Sequence, residues 1–309
     1  MRILDKPELE KRLPWNALID AIAEALREGK VQSPQRQVLP IAMPDGHTAN
    51  LLLMPAWVSG EAIGVKAVTY FPQNPEKGLS SINAAYLLFD GATGQLKAVA
   101  EGDALTERRT AAASALGARY LVRPDARRLL IVGTGQLSIP VAEAHAAVRD
   151  YAEIAVWGRK AEKAQAVADA LKAAGLPATT ADNLEAAVRA ADTISCVTNT
   201  TEPLIMGAWL SPGSHLDLIG AFRGDMRESD DEAVRKADIF VDTREGATLA
   251  GDLAQPLDAG VIGLHDIRAD LAELATGAHP GRTDDEAVTL FKSAGFALED
   301  LAAARLAAG

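Results

Sequence analysis

A single cysteine, Cys196, stands in 309 residues, so no intramolecular disulfide can form, as expected of a protein kept in a reducing cytosol. Positive charge is also scarce: 31 Lys and Arg against 42 Asp and Glu leave a net charge of −11. A surface so anionic is unsuited to nucleic acid or any other polyanion. No run approaches the ~20 apolar residues that a membrane span needs, and the opening MRILDKPELEKRL holds no apolar stretch of signal length. Internal repeats and low-complexity segments are absent beyond a general richness in alanine. These gaps imply a soluble, cytoplasmic protein with neither nucleic acid nor membrane as partner, and no metal site is expected. What is present is apolar matter, 48% of the chain, enough for a large core and, at this length, for two domains.

The most informative stretch is Arg128 to Ser138, RLLIVGTGQLS. Leu129 to Val132 is an apolar strand, Gly133, Thr134, Gly135 and Gln136 make a turn, and Leu137 to Arg149 continues as a helix, the order of a dinucleotide-binding βαβ unit. Gly133 would allow the tight turn, Gly135 would let the backbone approach a pyrophosphate, and Ser138 is small enough for close helix–strand contact. The helix start, dipole and N–H groups together, would hold the phosphates, and Pro140 suits a first-turn position. Taken alone, this spacing also fits a glycine turn in some other α/β protein. Context favours the nucleotide: a second strand, Glu153 to Trp157, follows and ends in Gly158, Arg159 and Lys160. An acid there would bind the ribose 2′-OH of NAD, whereas arginine suits the 2′-phosphate of NADP. NADP(H) is therefore the expected cofactor, with NAD the alternative and two solvated cations at a helix start the plainer reading.

Before this point the pattern differs. Leu13 to Lys30 has helical periodicity, and five short strands follow at Val38 to Ala42, Asn50 to Val58, Ala62 to Tyr70, Ser81 to Phe89 and Leu96 to Ala100. Short turns between them imply antiparallel pairing, and an alanine-rich helix from Thr106 to about Leu121 closes the segment. Beyond Asp125 strands and helices alternate, which implies a parallel, doubly wound sheet. Further strands at Asp192 to Val197, His215 to Ile219 and Ile239 to Val241 exit at Thr198, at Gly220 and Ala221, and at Asp242, where ligands of such sheets lie. Cys196 reads as a small residue in one of these strands. The tail from Asp284 to Ala308 is helical in composition. The expected fold is α/β, with a substrate-binding domain on a mainly antiparallel sheet at residues 1–115, a Rossmann domain at 116–294, and a last helix at 295–309 returning to the first.

In the first domain a few polar residues interrupt apolar segments: Arg36, Lys66, Ser81 and Arg109. Lysine is seldom buried unless it is paired or functional, so Lys66, in AIGVKAVTY, is either a site residue or an outward-facing strand residue. Arg36 and Arg109 are surface cations or a guanidinium clamp on a carboxylate.

Many ordered segments identify the chain as resembling the ornithine cyclodeaminase/mu-crystallin family. They are Met54 to Ala56, Gly64 to Lys66, Asn74-Pro75, Leu105-Thr106 with Arg109 to Ala112, Gly133 to Gln136, Thr201 to Pro203, Pro212 to His215, Asp225 with Arg227-Glu228, Arg244-Glu245, Gly251-Asp252, and Phe291 to Ser293 with Gly295. The resemblance implies a first domain that binds substrate and forms a homodimer through its sheet. It also implies that Arg36, Lys66 and Arg109 hold a substrate carboxylate, that Ser81 stands where members often have Thr, that Thr198 is a nicotinamide-side threonine, and that the loop Gly220, Ala221, Phe222 to Arg223 borders the site. Family members share hydride transfer between nicotinamide C4 and a carbon bearing an amine or imine. Ornithine cyclodeaminases carry an aspartate in the glycine loop; counted without a gap that position is Phe222, and Asp225 lies three residues on. The loop GAFRGDMRE is more like that of the ketimine reductases, which generally prefer NADPH.

The expected activity is therefore NAD(P)H-dependent reduction of a cyclic imino acid such as pyrroline-2-carboxylate or piperideine-2-carboxylate, a small-molecule substrate. Alternatives are an ornithine or lysine cyclodeaminase, an alanine-type amino-acid dehydrogenase, or a non-catalytic NADPH-binding crystallin-like protein. On this reading Lys66→Met should cost little stability, because the ammonium would sit among Arg36, Arg109 and the nicotinamide with only an anionic substrate for company.

Overall fold

A computed structural model describes all 309 residues, which form two compact units: Met1–Thr110 with Phe296–Gly309, and Ala111–Gly295. Unit 1 opens with strand β1 (Arg2–Leu4) and helix α1 (Lys6–Arg12), capped by the Asp5 carboxylate on the Glu8 N–H. The helix expected over Leu13 to Lys30 is present as α2, spanning Trp15–Glu28 between Pro14 and Gly29, and Pro14, which cannot donate to a continuing ladder, separates it from α1. The apolar stripe Leu18, Ile19, Ile22 and Leu26 of α2 is buried, each side chain contributing about 1.5–3 kcal/mol of transfer free energy.

Five strands then form a meander: β2 (Gln37–Ala42), β3 (Thr48–Val58), β4 (Ala62–Tyr70), β5 (Ile82–Asp90) and β6 (Leu96–Glu101). The sheet order is β1-β6-β5-β4-β3-β2, antiparallel throughout except for β1 beside β6. Across its centre Met54 pairs with Lys66, and Lys66 with Tyr86. Helix α3 (Gly102–Leu121) runs unbroken past residue 110, and the units divide inside it after residue 110, five residues earlier than the expected 115.

Unit 2 is built on parallel strands β7 (Arg128–Val132), β8 (Glu153–Trp157), β9 (Ala178–Thr180), β10 (Thr193–Cys196), β11 (His215–Leu218), β12 (Asp238–Val241), β13 (Ile267–Asp270) and β14 (Thr289–Lys292). Their order is β13-β12-β14-β11-β10-β7-β8-β9. Helices α4 (Ser138–Val148), α5 (Ala161–Ala173), α6 (Leu184–Ala190), α7 (Asp231–Lys236), α8 (Arg244–Ala247), α9 (Gly251–Asp258) and α10 (Leu271–Thr276) connect them. Each strand but β10 feeds a helix, as is usual for βαβ crossovers; β10 reaches β11 through a short 3-10 turn at Gly207–Trp209. The chain steps from β7 to β8 on one side and returns to β10 on the other, which puts a topological switch at β7.

The expected tail helix needs correction: Thr289–Lys292 is a fully buried strand inserted between β11 and β12. Only α11 (Ala297–Ala308) is helical, and it belongs to unit 1, against α2, β3 and β4.

Candidate active site

In unit 1, the register of β4 turns Lys66 toward α11, on the same face as Gly64, whose α-carbon hydrogen points at Tyr86 and Leu301. Lys66 is 2% exposed, which removes the outward-facing reading. Its Nζ lies 2.9 and 2.8 Å from the two carboxylate oxygens of Asp300 and 3.3 Å from the Thr106 hydroxyl. Arg109, on α3, donates through Nε to Asp300 at 3.0 Å and through Nη1 to Glu299 at 2.6 Å. Two cations and two anions thus form one buried, charge-balanced cluster. Burial, and then repulsion from Arg109, lowers the Lys66 ammonium to about 8, against the opposing pull of Asp300.

The ammonium does not wait for a substrate anion, as the sequence implied: the protein supplies its own. A Lys66→Met change therefore strips Asp300 of a partner and is not benign for stability. Arg36 immediately precedes β2, whose first residue pairs with Leu53, one place from the Met54 that faces Lys66. Ser81 is not brought beside Lys66. Its carbonyl accepts from Phe71, five residues along the ladder, about 16 Å away at strand spacing.

In unit 2, adjacent strand exits touch. Gly133, at φ +125°, has a backbone that L side chains avoid, and a methyl there would meet the Val197 carbonyl at 2.9 Å. Its N–H donates to Trp157 O, and Ser138, fully buried, donates its hydroxyl to Gly133 O at 3.0 Å, locking the start of α4 to the strand. Around Gly135 nothing lies within 4 Å of where a methyl would stand, leaving backbone open for a ligand. Thr134 and Gly158 face each other across the β7 and β8 exits. Gln136 is exposed and Leu137 half-buried; beyond Gly158, Arg159 and Lys160 are exposed ahead of α5. The donor set and open glycine backbone fit a dinucleotide phosphate.

The exits of β10 and β11 are joined by Glu228, which is fully buried. Its Oε1 accepts from the N–H and hydroxyl of Thr198, both at 2.7 Å, and its Oε2 from Gly220 N–H at 2.7 Å and Ala221 N–H at 3.3 Å. Behind it, Asp252 accepts from the Glu228 N–H at 2.7 Å and from the buried ammonium of Lys292 at 3.0 Å. Phe222 is 41% exposed at the loop tip. Asp225 is held by a two-point ion pair to Arg223 at 2.8 and 2.9 Å, and that guanidinium keeps its carboxyl below the usual range.

A Ser114, His145, Asp217 cluster elsewhere in unit 2 resembles a nucleophile triad but has the wrong polarity. Ser114 donates to Asp217 at 2.6 Å, as does Ser195, so its oxygen accepts from His145 Nε2 at 2.8 Å. All four residues are fully buried, and the cluster is a structural tie between α3, α4 and the sheet.

A family model for the ornithine cyclodeaminase/mu-crystallin family matches residues 2–308. The chain belongs to this family. Among its relatives, the Delta(1)-pyrroline-2-carboxylate reductase of Paracoccus denitrificans (strain Pd 1222) is 39% identical over 293 residues, covering 94% of this chain and 90% of the relative. The ketimine reductase mu-crystallin of Rattus norvegicus is 36% identical over 280 residues, 90% of this chain and 85% of the relative. A solved structure of Thermococcus litoralis Delta(1)-pyrroline-2-carboxylate reductase in complex with NADH and L-proline superposes with a TM-score of 0.92 at 33% identity, covering 100% of this chain and 96% of that one.

Sequence reasoning in this family member missed Glu299 and Asp300, and treated Glu228, Asp252 and Lys292 only as family markers. Acids in the first turn of a helix ordinarily serve its dipole, which hid Glu299 and Asp300. Lys292 carried the same signal as Lys66, a lone lysine within an apolar run, TLFKS.

Proposed function

We propose that this protein is an NADP(H)-dependent reductase of a cyclic imino acid, converting a five- or six-membered ring C=N bearing a carboxylate into the ring amino acid. The observation that carries the reductive reading is the loop after β11. Counted without a gap, the position of the cyclodeaminase aspartate holds Phe222, and Asp225 is engaged with Arg223 at the surface, where it is no free base. When bound, the nicotinamide supplies the hydride. Lys66, Arg109 and Arg36 orient the substrate carboxylate, and such orientation contributes several kcal/mol toward the barrier. With its ammonium lowered to about 8, Lys66 can also release a proton toward the imine nitrogen, and mild acid should favour reduction because the iminium is the better hydride acceptor. Mixing the protein with NADPH and a panel of cyclic imines, and separately with NAD and ornithine, tests the reading. Turnover of ornithine without imine reduction would sink it.

Cofactor choice rests on Arg159, which is exposed at the β8 exit with no acid beside it. NADPH should bind more tightly than NADH, although the Thermococcus litoralis reductase is in complex with NADH. Arg159→Ala should weaken NADPH by roughly tenfold, the lower range for a charge-assisted contact because the site is exposed, and leave NADH nearly unchanged. Equal affinities in the unaltered protein would contradict this.

The assembly we propose is a homodimer through the sheet of unit 1. Every residue of the edge strand β2 is exposed, with Val38 at 54% and Leu39 at 44%, an apolar edge that proteins normally cover. Sedimentation at micromolar concentration should give twice 32.5 kDa; a monomer would rule the dimer out.

A further inference from the structure

We infer that Glu228 is a positioning residue for the nicotinamide end of the cofactor: it draws the Thr198 hydroxyl proton inward, so that the threonine oxygen presents its lone pairs to an amide N–H donor. This deepens the cofactor reading above and rests on it. The argument is one of donor and acceptor counting. All four groups around the carboxylate are donors, three backbone N–H groups and one hydroxyl. An ionised carboxylate satisfies all of them, and the hydroxyl, having a single proton, spends it on Oε1 at 2.7 Å. What remains on Thr198, a half-buried residue at the carboxyl end of β10, is acceptor capacity. In an open parallel sheet that end is where a dinucleotide lies, and the nicotinamide carboxamide is the one part of the cofactor that offers an N–H₂ near its reacting ring.

The arrangement has no slack. A methyl on Gly220 would stand 2.0 Å from the Thr198 carbonyl and 2.5 Å from the Glu228 carboxylate, so the two exits close on the carboxylate only because position 220 is bare. Asp252 on α9 and Lys292 on β14 flank Glu228 from behind, and Cys196 lies on β10. Burial, and then Asp252, raises the Glu228 carboxyl to about 7, with Lys292 opposing. Of the four groups that bond the Glu228 carboxyl, only the Thr198 hydroxyl oxygen can accept once the carboxyl is protonated, because the other three are N–H donors. That reverses the hydroxyl and turns an acceptor surface into a donor. The ionised form is the binding form, so affinity for the nicotinamide end should be full above pH 7 and decline as pH falls through it.

The test compares two ligands on the apo protein by calorimetric or fluorescence titration: NADPH, and 2′-phospho-ADP-ribose, which keeps the adenine end and 2′-phosphate but lacks nicotinamide. Glu228→Gln and Thr198→Val should each weaken NADPH by roughly threefold to tenfold, the range for one hydrogen bond, and leave the truncated ligand unchanged. Thr198→Ser should retain NADPH affinity. The double variant should lose no more than the weaker single, since both act on one contact. In the unaltered protein the ratio of the two affinities should fall below pH 7, a comparison in which titration of the shared 2′-phosphate cancels. Equal weakening of both ligands by Glu228→Gln, additive losses in the double variant, or a pH-independent ratio would overturn the inference in favour of a purely structural carboxylate. Should Glu228→Gln fail to fold, Thr198→Val decides alone: unchanged NADPH affinity overturns it. If the unaltered protein binds neither ligand, the cofactor reading itself falls.

Discussion

Lys66→Met should unfold at a clearly lower urea concentration than the unaltered protein and should reduce cyclic imines far more slowly. The first effect follows from the Asp300 pair, whose partners are 2% and 0% exposed. Breaking a buried pair from one side leaves an uncompensated charge and costs about 3–5 kcal/mol. The second follows from loss of a charge-assisted contact to the substrate carboxylate, ~1.5–3 kcal/mol, or roughly a tenfold to hundredfold fall in kcat/KM. The two effects can be separated. In Lys66→Met with Asp300→Leu both members are gone, Arg109 and Glu299 remain as a balanced pair at 2.6 Å, and stability should recover toward the original value, as apolar replacements of buried pairs often allow. Activity should stay low. Urea midpoints and kcat/KM for the four proteins of this cycle decide the matter. A double variant no more stable than the singles would show that the cluster is not held by pairwise charge compensation.

A comparable effect is expected from acid, through His215. Burial lowers its imidazolium from 6.5 to about 3, with His145, Arg282 and Arg149 also lowering it and Asp217 opposing. The ring is therefore kept neutral when folded and charges freely when unfolded. That contribution to stability is whole above pH 6.5 and is lost as pH falls from there toward 3, a loss on the order of 5 kcal/mol in all. His215→Leu removes the titration and orphans little, because Thr289, which bonds His215 Nδ1 at 2.8 Å, also has Leu121 and Arg282 as partners. Urea unfolding at pH 7, 6, 5 and 4 should show the unaltered protein falling step by step in stability relative to His215→Leu. A stability gap that stays constant over this range would mean that the ring does not titrate on unfolding.

The elements that the sequence made legible are those whose periodicity and punctuation agree. Strands β3 to β6 alternate between marked turns, and β7, the glycine turn and α4 form a unit whose order admits few alternatives. The misses have specific physical causes. Strand β14 is only four residues long and lies in an alanine-rich tail whose composition speaks for helix. In the candidate site, Lys66 and Arg109 were recognisable because cations in apolar segments need a reason. Their partners were not, because contact between residue 66 and residue 300 is set by tertiary packing, and a pair of acids opening a helix has an ordinary explanation on any surface. Ser81 was carried by its resemblance to a threonine position, and the strand register leaves it well along the ladder from Lys66.

The place of β14 and α11 has a consequence for how the chain comes off the ribosome. Strand β14 fills the gap between β11 and β12 in the middle of the parallel sheet, and α11 buries nine of its twelve residues in unit 1. Until residues 289–308 have emerged, unit 2 presents two raw inner strand edges and unit 1 an uncovered apolar face. Both units wait for this last stretch of chain, although most of each has already been synthesised. Pairing of this kind, between segments far apart in the chain, is slow and leaves time for wrong association. A ribosome stalled shortly before codon 289 would thus release a nascent chain with more than nine-tenths of its residues and neither core closed, a substrate for chaperones and proteases.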